Sequence, residues 1–137
     1  MINSSKIIRA ILNHHPEIQA IFLFGSYGTE DERPESDVDI ALLLTPDDSK
    51  RIGSLLAGEL HSELERLLSK DVDLINLRQV STVLQKEIIA ANRCIYQGDK
   101  YAEEEFEMLT LSQYQKLNEE RAGIIESALA GGRFHRV

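Results

Sequence analysis

Two apolar runs in this chain each open with a pair of carboxylates. Asp37-Val38-Asp39 leads into residues 40–44 (IALLL), and Asp71-Val72-Asp73 leads into residues 74–77 (LINL). Aspartate is a poor strand former, yet each run is short and apolar enough to be a buried strand. In a strand, residues i and i+2 point to one face. Asp37 and Asp39 are therefore expected to project side by side. Two carboxylates about 4 Å apart repel by roughly 4 kcal/mol at an effective dielectric of about 20. Such a pair persists if one member is protonated, if both face open water, or if a cation sits between them. Mg²⁺ is the natural cation, because it prefers hard oxygen ligands and substrate phosphates. A bare Asp-x-Asp is common and usually just a solvated strand start. Here the apolar run resumes at once, which puts the aspartates at the mouth of a strand entering the core, where clefts form.

The rest of the chain frames these runs. Ile7, Ile8, Ile11 and Leu12 share one helical face, and Pro16 ends that helix. Residues 18–25 (IQAIFLFG) read as another buried strand. Thr45 can cap a helix, Pro46 suits its first turn, and Asp47 and Asp48 suit its dipole. Ile52, Leu55, Leu56, Leu60, Leu64, Leu67 and Leu68 then mark one face of a single helix ending near Lys70. Residues 81–92 form a helix with Leu84, Ile88 and Ile89 inward, and residues 94–99 a short extended piece and turn. From Ala102 onward Phe106, Leu109, Leu117, Ile124, Ile125 and Leu129 recur at roughly helical spacing, up to Gly131-Gly132. A basic tail, residues 133–137, is expected to be loose. The order helix, strand, strand, helix, strand, helix, long helix predicts a small α/β domain with a helical C-terminal extension. Residues 1–99 would form the domain and residues 100–137 the extension with its tail.

Composition narrows the function. The chain has 137 residues, enough for one domain with its own core. Its single cysteine, Cys94, rules out an internal disulfide and suits a reducing compartment. It begins without a signal-peptide core and contains no membrane-length apolar run, so a cytoplasmic location is expected. The formal net charge is −8, with 23 acids against 15 Lys and Arg. Nucleic-acid binders show a basic stripe that neutralises phosphates, so direct nucleic-acid binding is disfavoured. An acidic protein suits a cationic small substrate or a basic protein partner.

Gly25-Ser26 follows the first strand. Glycine lets a backbone approach a ligand closely. Ser26 adds a hydroxyl and an N–H at an expected helix start, and these are the parts of a phosphate cradle. Alone, Gly-Ser is equally an ordinary strand-to-helix turn. Combined with Asp37, Asp39 and a third acid on another strand, it describes a metal-assisted nucleotidyl-transfer site. The third acid is Asp73 or Asp71. Asp73 lies deeper in its strand and Asp71 reads as solvated. Tyr27 could stack on a base or pack on the core. Arg33 is the loop's only cation and is expected to be solvated. His14 and His15 suit a helix C-terminus better than a metal, His61 reads as surface, and Cys94 as a small buried apolar residue. The acid run at residues 103–107 reads as a solvated first helical turn.

Gly25-Ser26, ten further residues, Asp37-Val38-Asp39 and the later Asp73 together resemble the DNA polymerase beta-like nucleotidyltransferase superfamily. The small size, residues 84–99 and the helix around Tyr114 resemble its minimal nucleotidyltransferases. The resemblance implies the polymerase beta-like fold, a small mixed sheet flanked by helices. It implies ATP as co-substrate, Gly25 and Ser26 at the nucleotide, and Asp37, Asp39 and Asp73 as catalytic Mg²⁺ ligands. In that subgroup the domain is commonly an antitoxin that transfers AMP to a tyrosine of a partner HEPN-domain ribonuclease toxin. Two other readings stay open. The same chemistry could serve a cationic small molecule such as an aminoglycoside, or the chain could neutralise a partner by occlusion without catalysis.

Overall fold

The computed structural model describes residues 4–54 and 58–131, with side chains through residue 123. Helix α1 (Ser4–His14) leads into a sheet of four strands: β1 (Ala20–Phe24), β2 (Val38–Leu43), β3 (Val72–Asn76) and β4 (Cys94–Gln97). Their spatial order is β3-β2-β1-β4. β1 pairs antiparallel with β2 and β4, and β2 pairs parallel with β3, so the sheet is mixed. Helices α2 (Pro46–Ile52) and α3 (Glu59–Leu68) precede β3. After β3 come a 3₁₀ turn (Leu77–Gln79), α4 (Thr82–Ala91), β4 and the long α5 (Lys100–Gly131).

Strand alternation divides the core into two layers. Ile21, Leu23, Val38, Ile40, Leu42, Val72 and Leu74 pack with Ile7 and Ile11 of α1 and with Leu60 and Leu64 of α3. Ala20, Phe22, Ala41 and Leu43 pack on the opposite face with Leu77, Ile88 of α4 and Phe106 of α5. Both faces of β2 are covered, which is why its sequence is an uninterrupted apolar run. By the same alternation Asp39 and Asp73 belong to the face of Ala41 and Leu43.

The single helix expected between Thr45 and Lys70 is two helices. Thr45 caps the first as predicted, accepting from the Asp48 N–H at 3.2 Å. Gly53, with φ of 67°, then ends it, and its N–H donates to the Ser49 carbonyl. Asn76 explains the stop. This buried side chain donates to the carbonyls of Ser49 at 3.0 Å and Gly53 at 2.9 Å, and accepts from Ser49 Oγ at 2.9 Å. It thereby satisfies the Gly53 carbonyl, which a continuing helix would have used, and adds a second donor to the Ser49 carbonyl. Leu55 and Leu56, placed on the expected helix face, lie outside the described residues, as do Gly132 and the basic tail.

The start of α5 also departs from expectation. Glu103 is not solvated. It is 5% exposed and accepts a hydrogen bond from Gln97 Nε2 of β4. Leu109 is exposed, because the buried stripe runs instead through Glu103, Phe106 and Thr110. His61, expected at the surface, is half-buried with Nε2 2.7 Å from the Val72 carbonyl. No described helix is long and apolar enough to cross a membrane.

One pH dependence follows from the seat of α5. Burial, then the neighbouring Glu103, pushes the Glu107 carboxyl up to about 7. A carboxyl raised on folding adds stability below its unfolded value, and that stability is lost as pH rises through the raised one. The unfolding midpoint should therefore fall as pH rises from about 4.5 to about 7 and level off above that. Glu107→Gln should flatten that slope. An equal slope in the variant would assign the titration elsewhere.

Candidate active site

Register brings the key carboxylates together. In the parallel pairing of β2 and β3, Asp39 and Asp73 are direct Cα partners. Adjacent strands lie about 4.8 Å apart, so their side chains rise next to each other on one face. On the other side of β2, Asp39 is opposite Phe24, the last residue of β1. Gly25 follows immediately with φ of 72°. A Cβ at Gly25 would overlap Asp39 Oδ2 and come within 2.9 Å of its Cγ. Asp39 therefore lies directly over a glycine that has to be a glycine. Burial, then Asp73, then Asp37, push the Asp39 carboxyl above its ordinary range.

Asp37 is exposed, one residue ahead of β2, and close enough to Asp39 to contribute to that repulsion. Asp37 also borders a groove with Glu65, Lys70 and Asp71 that neither Asp39 nor Asp73 lines. Asp71 is exposed ahead of β3, and its carbonyl accepts from the Val38 N–H at 2.9 Å. Its backbone thus stitches the strand starts together, while its side chain has no part in raising Asp39. The structure thus sets Asp39 between Gly25 and Asp73, with Asp37 exposed but within electrostatic reach of Asp39, and Asp71 without such an effect.

Mg²⁺ suits this donor set. The groups are all hard carboxylate oxygens, and a divalent cation would relieve the repulsion that raises Asp39. Among the described residues no three His, Cys, Asp or Glu side chains form a ready-made ligand cluster. Mg²⁺ does not require one, since one or two carboxylates plus substrate phosphates are its usual protein environment.

The loop between β1 and β2 corrects one expectation. No helix starts at Ser26. The chain turns instead, with the Thr29 N–H and hydroxyl both donating to the Ser26 carbonyl at 2.9 and 2.6 Å. Ser26 Oγ donates to Ser36 Oγ at 3.1 Å, and Ser36 Oγ accepts from the Arg33 N–H at 2.9 Å. Any phosphate cradle here is built from turn amides rather than a helix dipole. Tyr27 is buried in the core layer of α1 and α3, so it packs and does not stack on a base. Arg33 is exposed, as expected.

Two cations that sequence reasoning missed hold this loop. Lys70 Nζ lies 3.3 Å from the carbonyls of Pro34 and Ser36 and 3.5 Å from Glu32. Arg93 donates to the Gly25 carbonyl at 2.9 Å and to the Tyr27 carbonyl. All of these contacts join residues far apart in the chain, and neither cation belongs to a local motif that would have flagged it.

Residues 6–101 match the family described as Polymerase beta, Nucleotidyltransferase. The protein adenylyltransferase MntA of Shewanella oneidensis is 35% identical over 129 residues, covering 94% of this chain and 89% of its own length. A toxin–antitoxin crystal structure with AMP-PNP superposes with a TM-score of 0.71 at 35% identity, over 93% of this chain and 99% of that one. The structure of a tri-AMPylated Shewanella oneidensis HEPN toxin in complex with MNT antitoxin aligns with a TM-score of 0.65 at 35% identity, over 93% and 96% of the two chains. The family match spans the whole sheet that sets Asp39 beside Asp73, and the chain belongs to the Polymerase beta nucleotidyltransferase family.

Proposed function

We propose that this chain is an antitoxin-type protein adenylyltransferase. It moves AMP from ATP to a hydroxyl, of tyrosine, on a partner HEPN-domain ribonuclease toxin and thereby neutralises it. The observation that carries the reading is the Asp39–Asp73 register beside Gly25, in a chain alike over 94% of its length to a protein adenylyltransferase. Residues 1–99 are the transferase domain and residues 100–137 its extension with a short basic tail, and the start of α5 (Lys100–Gly131) is anchored through Phe106 and Glu103.

The residue roles are these. Gly25 and Ser26 receive the outer phosphates of ATP. Asp37, Asp39 and Asp73 would hold Mg²⁺. When bound, Mg²⁺ lowers the pKa of an attacking hydroxyl and offsets charge on the triphosphate. Asp73 orients the acceptor hydroxyl and takes its proton. The hydroxyl oxygen bonds to the α-phosphorus as the bond to the bridging β-phosphate oxygen breaks, and pyrophosphate leaves with that electron pair. No covalent enzyme intermediate is required.

The test uses ATP labelled at the α-phosphate, with Mg²⁺ and a lysate of the protein's own source. A labelled protein should appear with the wild type. Asp73→Asn should cut the label by about a hundredfold or more, the usual scale of a lost general base. Asp71→Asn should keep most of it. Loss with Asp71→Asn alone would reverse the assignment. Label on a small molecule would replace the protein acceptor, and no label with the partner still bound would leave an occluding antitoxin.

A further inference from the structure

Arg93 stands just past α4, after Asn92, whose left-handed backbone (φ 54°) closes that helix. The Arg93 carbonyl accepts from the Leu23 N–H at 3.0 Å, which seats the residue beside the end of β1. From there its guanidinium reaches the turn that follows β1. Nη1 donates to the Gly25 carbonyl at 2.9 Å, and Nη2 to the Tyr27 carbonyl. One planar fork thus holds the carbonyls on either side of Ser26. Among the described residues no carboxylate pairs with Arg93, so its positive charge stays at the turn. Lys70 is engaged by the far side of the loop and Arg33 points to solvent.

In a trans peptide the C=O and the following N–H point in opposite directions. With the Gly25 and Tyr27 carbonyls turned toward Arg93, the N–H groups of Ser26 and Gly28 turn away from it. That side of the turn already binds an oxyanion. The Gly28 N–H donates to Glu32 Oε1 at 2.9 Å, and this bond is the main cause that holds the Glu32 carboxyl below its ordinary range.

We propose that Arg93 is a positioning residue for the nucleotide, fixing the turn at residues 25–27 through two carbonyls so that the Ser26 N–H faces the outer phosphates of ATP. The inference rests on the assignment of Gly25 and Ser26 to the nucleotide. Lysine cannot replace the fork, because it offers a point charge where two carbonyls need a planar pair of donors.

The experiment is calorimetric binding of ATP and of AMP, with Mg²⁺, to the wild type, Arg93→Ala and Arg93→Lys. AMP lacks the phosphates that the turn would hold. Both variants should bind ATP about tenfold or more weakly, the scale of a lost charge-assisted bond, while AMP binding changes little. Wild-type ATP affinity in Arg93→Lys would reduce the role to charge and overturn the inference. Equal weakening of ATP and AMP would overturn it too, because the turn would then not be holding the outer phosphates. A wild type that binds neither nucleotide would instead remove the nucleotide assignment of Gly25 and Ser26.

Discussion

Asp39→Asn should abolish transfer and, in the same protein, raise its metal-free unfolding temperature. The two effects have one cause. Asp39 is half-buried, beside Asp73 and near Asp37, and burial with those two charges lifts its carboxyl above the ordinary range. A carboxyl raised in the folded state contributes stability below its unfolded value, and that contribution is gone once pH rises through the raised one. At neutral pH the ionised Asp39 is therefore a cost to the fold. Asparagine keeps the shape and removes the charge, so the midpoint at pH 7 should rise, and the gap between wild type and variant should close toward pH 4. Activity moves the other way. Charge stabilisation of a transferring phosphoryl group is worth several kcal/mol, and each 1.36 kcal/mol is tenfold in rate. Transfer from α-labelled ATP should therefore fall by about a thousandfold or more. Thermal unfolding in chelator and the labelling assay, run on one preparation, check both halves. A variant that is less stable and also inactive would mean that Asp39 serves the fold, and the assignment would fail.

The carboxylates were legible because their signal is local. An aspartate at the start of an apolar run conflicts with strand propensity, and two runs with the same conflict suggested one site. Pairing of Asp39 with Asp73 needed only that β2 and β3 be neighbours, which the structure supplies. The missed features are long-range. Asn76 ends α2 across the sheet, overriding a leucine pattern that by itself reads as one helix, although Gly53 was a visible stop signal. Glu103 is buried because Gln97 on β4 reaches it, so an acid run that looks solvated holds one member inside. Arg93 follows an asparagine at a helix end and reads as a solvated cation. Its contact with the turn appears only when β4 is laid beside β1 and the Gly25 carbonyl comes within reach. The turn also stands where a helix after Ser26 was expected, in the loop of residues 25–37 that links β1 to antiparallel β2.

Gly25→Ala should remove transfer with every proposed catalytic carboxylate still present, and Gly53→Ala should not. Both glycines have positive φ, 72° and 67°. A side chain at such a positive φ is strained, by about 1–3 kcal/mol in sparsely populated regions, so both variants should lose stability. They differ in what a methyl group meets. At Gly53 nothing lies within 4 Å of an added Cβ. At Gly25 the Cβ would overlap Asp39 Oδ2 and crowd its Cγ at 2.9 Å. Relief requires the Asp39 carboxylate to swing off the glycine, or β1 and β2 to part at the Phe24–Asp39 pair. Either movement displaces the carboxylate from its place between Gly25 and Asp73, its register partner on the opposite side of β2, and misplacement by about 1 Å can cost a hundredfold in rate. Loss of stability in both variants, with transfer lost only in Gly25→Ala, would separate backbone strain from carboxylate placement. Transfer that survives in Gly25→Ala would mean that the reacting geometry tolerates a displaced Asp39, and the role given to that close approach would have to be withdrawn.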